Sequence, residues 1–172
     1  CDIAERYLRN TLKCSVTAKE LVSFCSTGEI PDVIGFRNNR SYLIEVKCSR
    51  SDFFADKKKL FREHEDFGMG DYRYFLCPKG MISEDELPDK WGLLYVADNG
   101  RTTIQRGKRN NIYIQGQEQF QFEKNIMSEF VLLVSLARRV TYIGVVKEGN
   151  WRYESMADNA GITLGDKARE DT

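Results

Sequence analysis

The chain has 172 residues, 41% hydrophobic and 30% charged, with 26 basic and 26 acidic side chains. That length suits one domain burying about 70% of its unfolded surface. Zero net charge neither favours nor excludes a nucleic-acid partner, because the field at a site is set by local charge. No run approaches the roughly 18 apolar residues that span a bilayer, so a membrane partner is not expected. The opening CDIAERYLRN also lacks the basic-then-apolar pattern of a secretory signal.

The five cysteines, Cys1, Cys14, Cys25, Cys48 and Cys77, are odd in number and show no metal-ligand spacing. They fit small buried apolar residues in a reducing, cytoplasmic setting better than a disulfide framework. An iron–sulfur cluster held by dispersed cysteines is the less favoured alternative.

In chain order, Ile3 to about Leu12 reads as a helix, with Ile3, Tyr7 and Leu8 at helical spacing and Asp2 as N-cap. From Cys14 to Phe24 the β-branched content rises and the pattern suggests a strand running into a bend. Ser26-Thr27-Gly28 is a turn. Pro31 to Arg37 is a second strand, Asn38-Asn39-Arg40 a turn that exploits asparagine's tolerance of left-handed angles, and Ser41 to Lys47 a third strand. The segment SRSDFFADKKKLFREHEDF reads as a helix capped by Ser51, with Phe53, Leu60 and Phe67 repeating along one stripe.

YRYFLC at 72–77 is a strand, and SEDELP a single helical turn. GLLYVA at 92–97 is a further strand, joined through Asn99-Gly100 to a return strand at 102–106. A long helix is expected over Phe122 to Val140, with Phe122, Ile126, Phe130, Leu133 and Ala137 on its apolar face. The end, DNAGITLGDKAREDT, is polar. The order predicts an α/β domain with a central mixed sheet flanked by helices, extra C-terminal strands and a long helix.

Within this frame, PDVIGFRNNRSYLIEVK at 31–47 poses a chemical problem. Alternation puts Tyr42, Ile44, Val46 and Cys48 on one face of the third strand, and Leu43, Glu45 and Lys47 on the other. If both faces are covered, an acid and an ammonium lie at the edge of a core, where each is costly unless paired. An isolated E-x-K is usually a solvated pair. Here the turn brings Asp32 near the end of the adjacent strand, so two carboxylates and a lysine converge. Hard oxygen donors of this kind suit Mg²⁺ or Mn²⁺, and Lys47 can hold an attacking water or offset charge on a phosphoryl transition state.

P-D, a turn and then E-V-K resembles the PD-(D/E)XK, or restriction-endonuclease-like, nuclease superfamily, and helix–three strands–helix–strand matches its αβββαβ core. The stretches EVKCSRSDFFADKKK and MGDYRYFLCPKGMI are also similar to MmcB-type DNA-repair nucleases of bacteria and phages. The resemblance implies a nuclease-like core over 1–98, carried most firmly by residues 1 to 78. Residues 99–150 are then an extension of the same domain, and 151–172 a polar tail. It further implies divalent-metal-dependent hydrolysis of DNA, a metal held by Asp32, Glu45 and the Val46 carbonyl, Lys47 as the catalytic lysine, and a possible homodimer.

An additional upstream acid is expected, with Glu20 preferred to Glu5. Both are also readable as surface glutamates. Arg50, Lys57 and Lys58 are candidate phosphate contacts that position a duplex without reading its sequence. Asp52 and Asp56, four apart on the following helix, are divided between ordinary surface acids and a functional role, either an outer shell of the metal site or contacts that orient the lysines, with Lys59 placed to relieve their repulsion. The basic group Arg101, Arg106, Lys108 and Arg109 reads as solvated loop. His64, the only histidine, reads as a surface residue. No G-x-x-x-x-G-K-[ST] occurs, so a nucleotide cofactor is not expected. The rival reading is a nuclease-fold protein without useful turnover that binds nucleic acid or another protein.

Overall fold

The computed structural model describes residues 1–56, 59, 64–110 and 116–143, with backbone alone for 141–143. The chain divides into a compact unit, Cys1–Arg139, and a second unit, Val140–Thr172. The boundary falls inside the last helix, and the polar end expected at 151–172 lies outside the described residues.

Among the described residues, three α-helices, α1 (Asp2–Asn10), α2 (Arg50–Asp56) and α3 (Ile126–Ile143), accompany six strands: β1 (Val16–Lys19), β2 (Val33–Arg37), β3 (Arg40–Val46), β4 (Tyr72–Pro78), β5 (Gly92–Val96) and β6 (Thr102–Arg106). The strands form one mixed sheet in sequence order. β1, β2 and β3 are an antiparallel meander. β3, β4 and β5 run parallel, and β6 returns antiparallel. The expected α/β class, with a mixed sheet between helices, is what the chain adopts.

Alternation along the strands splits the core in two. Ala4, Tyr7 and Leu8 of α1 pack with Val33, Tyr42, Ile44 and Tyr74 on one face. Phe53 of α2 and Leu132 of α3 pack with Ile34, Leu43, Phe75 and Trp91 on the other. Burial on both faces explains why β3 and β4 read as nearly continuous apolar runs. Close approach of α1 depends on Gly35, where an added Cβ would stand 2.8 Å from Cys14 Sγ and 3.1 Å from Leu8 Cδ1. The five cysteines are unpaired, and burial pushes the Cys14 thiol up to about 11, as befits an inert packing group.

Several boundaries differ from expectation. The strand predicted over 14–24 shortens to β1, because Glu20 adopts φ 48°, a left-handed angle that breaks the ladder. Asn38 at φ 54° forms the expected turn. α1 is capped at Cys1 with no side-chain bond, so Asp2 lies in the first turn instead. α2 begins at Arg50, and its cap is Ser49 rather than Ser51: Ser49 Oγ accepts the Asp52 N–H at 3.2 Å. Of the expected Phe53–Leu60–Phe67 stripe, Phe53 is fully buried, Leu60 lies outside the described residues, and Phe67 falls in a 3-10 turn at Glu65–Phe67. The turn expected at SEDELP is a 3-10 turn, Glu84–Glu86, closed by a Ser83–Glu86 capping box.

The last helix starts at Ile126, not Phe122, and faces the core differently. Phe122 precedes it and packs on Trp91 with ring centroids 6.0 Å apart. Ser128, Glu129 and Leu132 are buried, whereas Ile126 is 69% and Phe130 58% exposed. Glu129 explains the rotation. Its carboxylate accepts the Ser41 hydroxyl at 2.6 Å and the Gly70 N–H at 2.8 Å, and pairs with Lys124 at 2.9 Å. Asp71 joins the same network, accepting the Ser41 N–H at 2.8 Å and pairing with Arg40 at 3.0 Å. A satisfied polar network can thus seat a helix on a polar face.

Candidate active site

Three elements meet where β3 ends. Val33 pairs with Ile44, so Asp32, one residue earlier, comes opposite Glu45. β2 leaves the sheet there, and Asp32 Oδ2 replaces a main-chain partner by accepting the Val46 N–H at 2.7 Å. In a strand, N–H and C=O of one residue point to the same side, so the Val46 carbonyl also faces Asp32. Glu45 and Lys47, on the α2 side of the sheet, are 2% and 3% exposed. The Lys47 N–H donates to Leu76 O at 2.8 Å, locking the end of β3 to β4.

α2 then folds back over this edge. Phe53 anchors it, meeting Phe75 edge to face at 5.1 Å. Asp56, one turn further on the same side, is drawn inward to 2% exposure. Lys47 Nζ stands 3.1 Å from Asp56, 3.6 Å from Glu45 and 3.7 Å from Asp52. Lys59 Nζ approaches Asp56 at 2.7 Å. The Lys47 ammonium and the Glu45, Asp52 and Asp56 carboxylates therefore converge, and Asp32 reaches the same strand end through its bond to the Val46 N–H. The signal for Asp56 was present in its i, i+3 spacing from Phe53, which puts it on the buried side of the helix.

The other predicted residues are placed differently. Glu20 lies beside Asp32 through its backbone, its N–H donating to Asp32 O at 3.0 Å, but its carboxylate accepts the Cys1 thiol at 2.9 Å. Glu5 accepts the Thr17 hydroxyl at 2.9 Å and pairs with Arg9 at 3.1 Å. Neither carboxylate makes a bond to Glu45 or Lys47. Arg50 is engaged with the carboxylate of Glu86 and donates to Met81 O at 2.8 Å, so it fastens α2 to the 3-10 turn. The Arg50 guanidinium and Ser83 donors hold the Glu86 carboxyl down at about 2. Lys57 and Lys58 lie outside the described residues. Sequence reasoning also missed Glu29, fully buried and accepting the Met69 N–H at 2.6 Å.

For a divalent cation, the donors at this edge are the Asp32 and Glu45 carboxylates and the Val46 carbonyl. Among the described residues, no three His, Cys, Asp or Glu side chains form a ready cage. Two carboxylates and a carbonyl nevertheless fit Mg²⁺, which retains several waters and needs few protein ligands.

No family model matches the chain, and no curated protein matches it. Among solved structures it is similar to the SPO1766 protein of unknown function from Silicibacter pomeroyi, at 22% identity and a TM-score of 0.52. The match covers 84% of this chain and 92% of that one. At this identity the likeness concerns the fold alone. No described helix is long and apolar enough to cross a membrane.

Proposed function

We propose that the chain is a divalent-cation-dependent phosphodiesterase acting on DNA, with a restriction-endonuclease-like core of the PD-(D/E)XK type, and that it serves DNA repair or phage DNA processing in the cytoplasm. The observation that carries this reading is the meeting of Glu45 with Lys47 where β3 ends, with Asp32 opposite Glu45 in register and bonded to the Val46 N–H. Asp32, Glu45 and Val46 would hold Mg²⁺ or Mn²⁺. Such an ion, when bound, polarises a phosphodiester oxygen and acidifies a water. Lys47 holds the attacking water or offsets negative charge growing on the phosphate. α2 is the element nearest this edge, and the gripping of the duplex backbone falls to the basic side chains that follow Asp56 in the sequence, Lys57 and Lys58.

A second reading is a nuclease-fold binding protein without turnover. It is favoured by the enclosure of Lys47 among three carboxylates and by the Asp32–Val46 bond, since these groups have partners before any cation arrives. One experiment separates the two. Purified chain is incubated with single-stranded, double-stranded and branched DNA, and with RNA, each with Mg²⁺ or Mn²⁺, while calorimetry follows Mn²⁺ binding. The first reading expects cleavage of DNA, reduced about 100-fold or more in a folded Lys47→Ala variant. No cleavage of any substrate and no binding heat would establish the second, and cleavage confined to RNA would move the substrate class.

A further inference from the structure

We propose that Asp56 is the positioning residue of Lys47: it fixes the ammonium at the end of β3, facing Glu45, and so sets the geometry of the hydrolytic step. This rests on the phosphodiesterase reading above. Lysine is a point charge on a flexible four-carbon stem, and an unrestrained one spreads its charge over many rotamers. Here the stem is almost wholly buried, and the Phe75 ring centroid lies 5.9 Å from Nζ. Among the described residues, the shortest contact of Nζ to a carboxylate is to Asp56 Oδ1, at 3.1 Å, and it alone meets hydrogen-bond geometry.

Asp56 is itself over-determined. Its helix is capped by Ser49, two residues beyond Lys47, and anchored by Phe53 one turn earlier. Lys59 grips the same Oδ1 from outside at 2.7 Å. Asp52, at 3.7 Å and half exposed, has neither the burial nor the bond to do this. The arrangement is a chain of alternating charge, Lys59–Asp56–Lys47–Glu45, that runs from the helix to the predicted cation ligand.

Displacing a group by about 1 Å can lower a rate about 100-fold without touching substrate affinity. The test therefore reads position and rate separately. In chain labelled with ¹⁵N-lysine, a buried, bonded ammonium gives a slowly exchanging Nζ signal, identified as Lys47 by its loss in Lys47→Arg. The signal should be present in the unsubstituted chain and lost in Asp56→Ala, with Asp56→Asn, which keeps an oxygen acceptor, intermediate. Circular dichroism checks that each variant is folded. In parallel, Asp56→Ala should lower kcat about 100-fold at nearly unchanged KM, with partial recovery in Asp56→Asn.

The proposal is overturned if the Lys47 signal survives in Asp56→Ala. It is also overturned if that folded variant cleaves at the unsubstituted rate, or if KM alone changes. An unsubstituted chain that cleaves nothing removes the phosphodiesterase reading itself. Loss of the signal in Asp56→Ala then marks the pair as purely structural.

Discussion

Asp32 accepts the Val46 N–H through Oδ2, which separates its structural duty from its charge. Asp32→Asn keeps an oxygen acceptor for that N–H while removing the negative charge. We expect little change in unfolding free energy but at least about tenfold weaker Mn²⁺ binding, or about 1.4 kcal/mol, by calorimetry. Asp32→Ala removes the acceptor as well and should cost about 1 kcal/mol in chemical denaturation.

At the far end of β3, Asp71 presents the opposite case, a carboxylate whose work is architectural. Burial pushes its carboxyl up, but the Lys124 ammonium and the Ser41 donors together outweigh this and hold it below the ordinary 3.8. A depressed folded-state value means that its stabilisation is fully present above 3.8 and is lost as pH falls through the lower folded value. Asp71→Asn should destabilise by about 2 kcal/mol at neutral pH, since it removes the charged partner of Arg40 and one of the two carboxylates that pair with Lys124. The difference between unsubstituted and variant chains should shrink as denaturation is repeated from about pH 5 downward.

At the level of elements, α2 offers a local test. Ser49→Ala removes the observed cap and should cost about 1 kcal/mol, whereas Ser51→Ala should fall within about 0.5 kcal/mol of the unsubstituted chain, both read from denaturant midpoints. The sequence made the cap ambiguous because SRS offers two serines two apart. Only the return path of the chain over Phe75 decides between them. The strands were legible because buried ladders leave alternation and β-branched runs, and the meeting of Asp32 with Glu45 followed from a short turn and period-two geometry.

Two features were not legible. α3 looks amphipathic about Phe130, yet its seat is a polar network assembled from β3, the Gly70–Asp71 corner and Glu129, three places distant in sequence. Likewise, although its spacing from Phe53 signalled the burial of Asp56, nothing in the sequence showed its bond to a lysine nine residues earlier. Leu132→Ala should therefore cost about 2–5 kcal/mol, and Phe130→Ala far less. The reverse ranking would restore the helix face that the sequence suggested.

Across the Cys1–Arg139 unit, the two apolar clusters lie on opposite faces of one sheet and share every central strand. Neither can dissolve without exposing the strands that support the other. We expect one cooperative transition in this unit. In a Trp151→Phe background, Trp91 fluorescence reports the α2–α3 side and far-ultraviolet circular dichroism the whole sheet. The two curves should superimpose, and separated midpoints would mean that the faces unfold independently.

The candidate site draws on elements of unequal stiffness. Glu45 and Lys47 project from the end of β3, a strand flanked on both sides in mid-sheet, whereas Asp32 sits where a strand has just departed and Asp56 closes a short helix. Any adjustment to an arriving ion or substrate thus belongs to the periphery, while the sheet supplies an immobile reference. A chemist redesigning this edge for another metal should keep the central strand untouched and vary the lengths of the two segments that approach it.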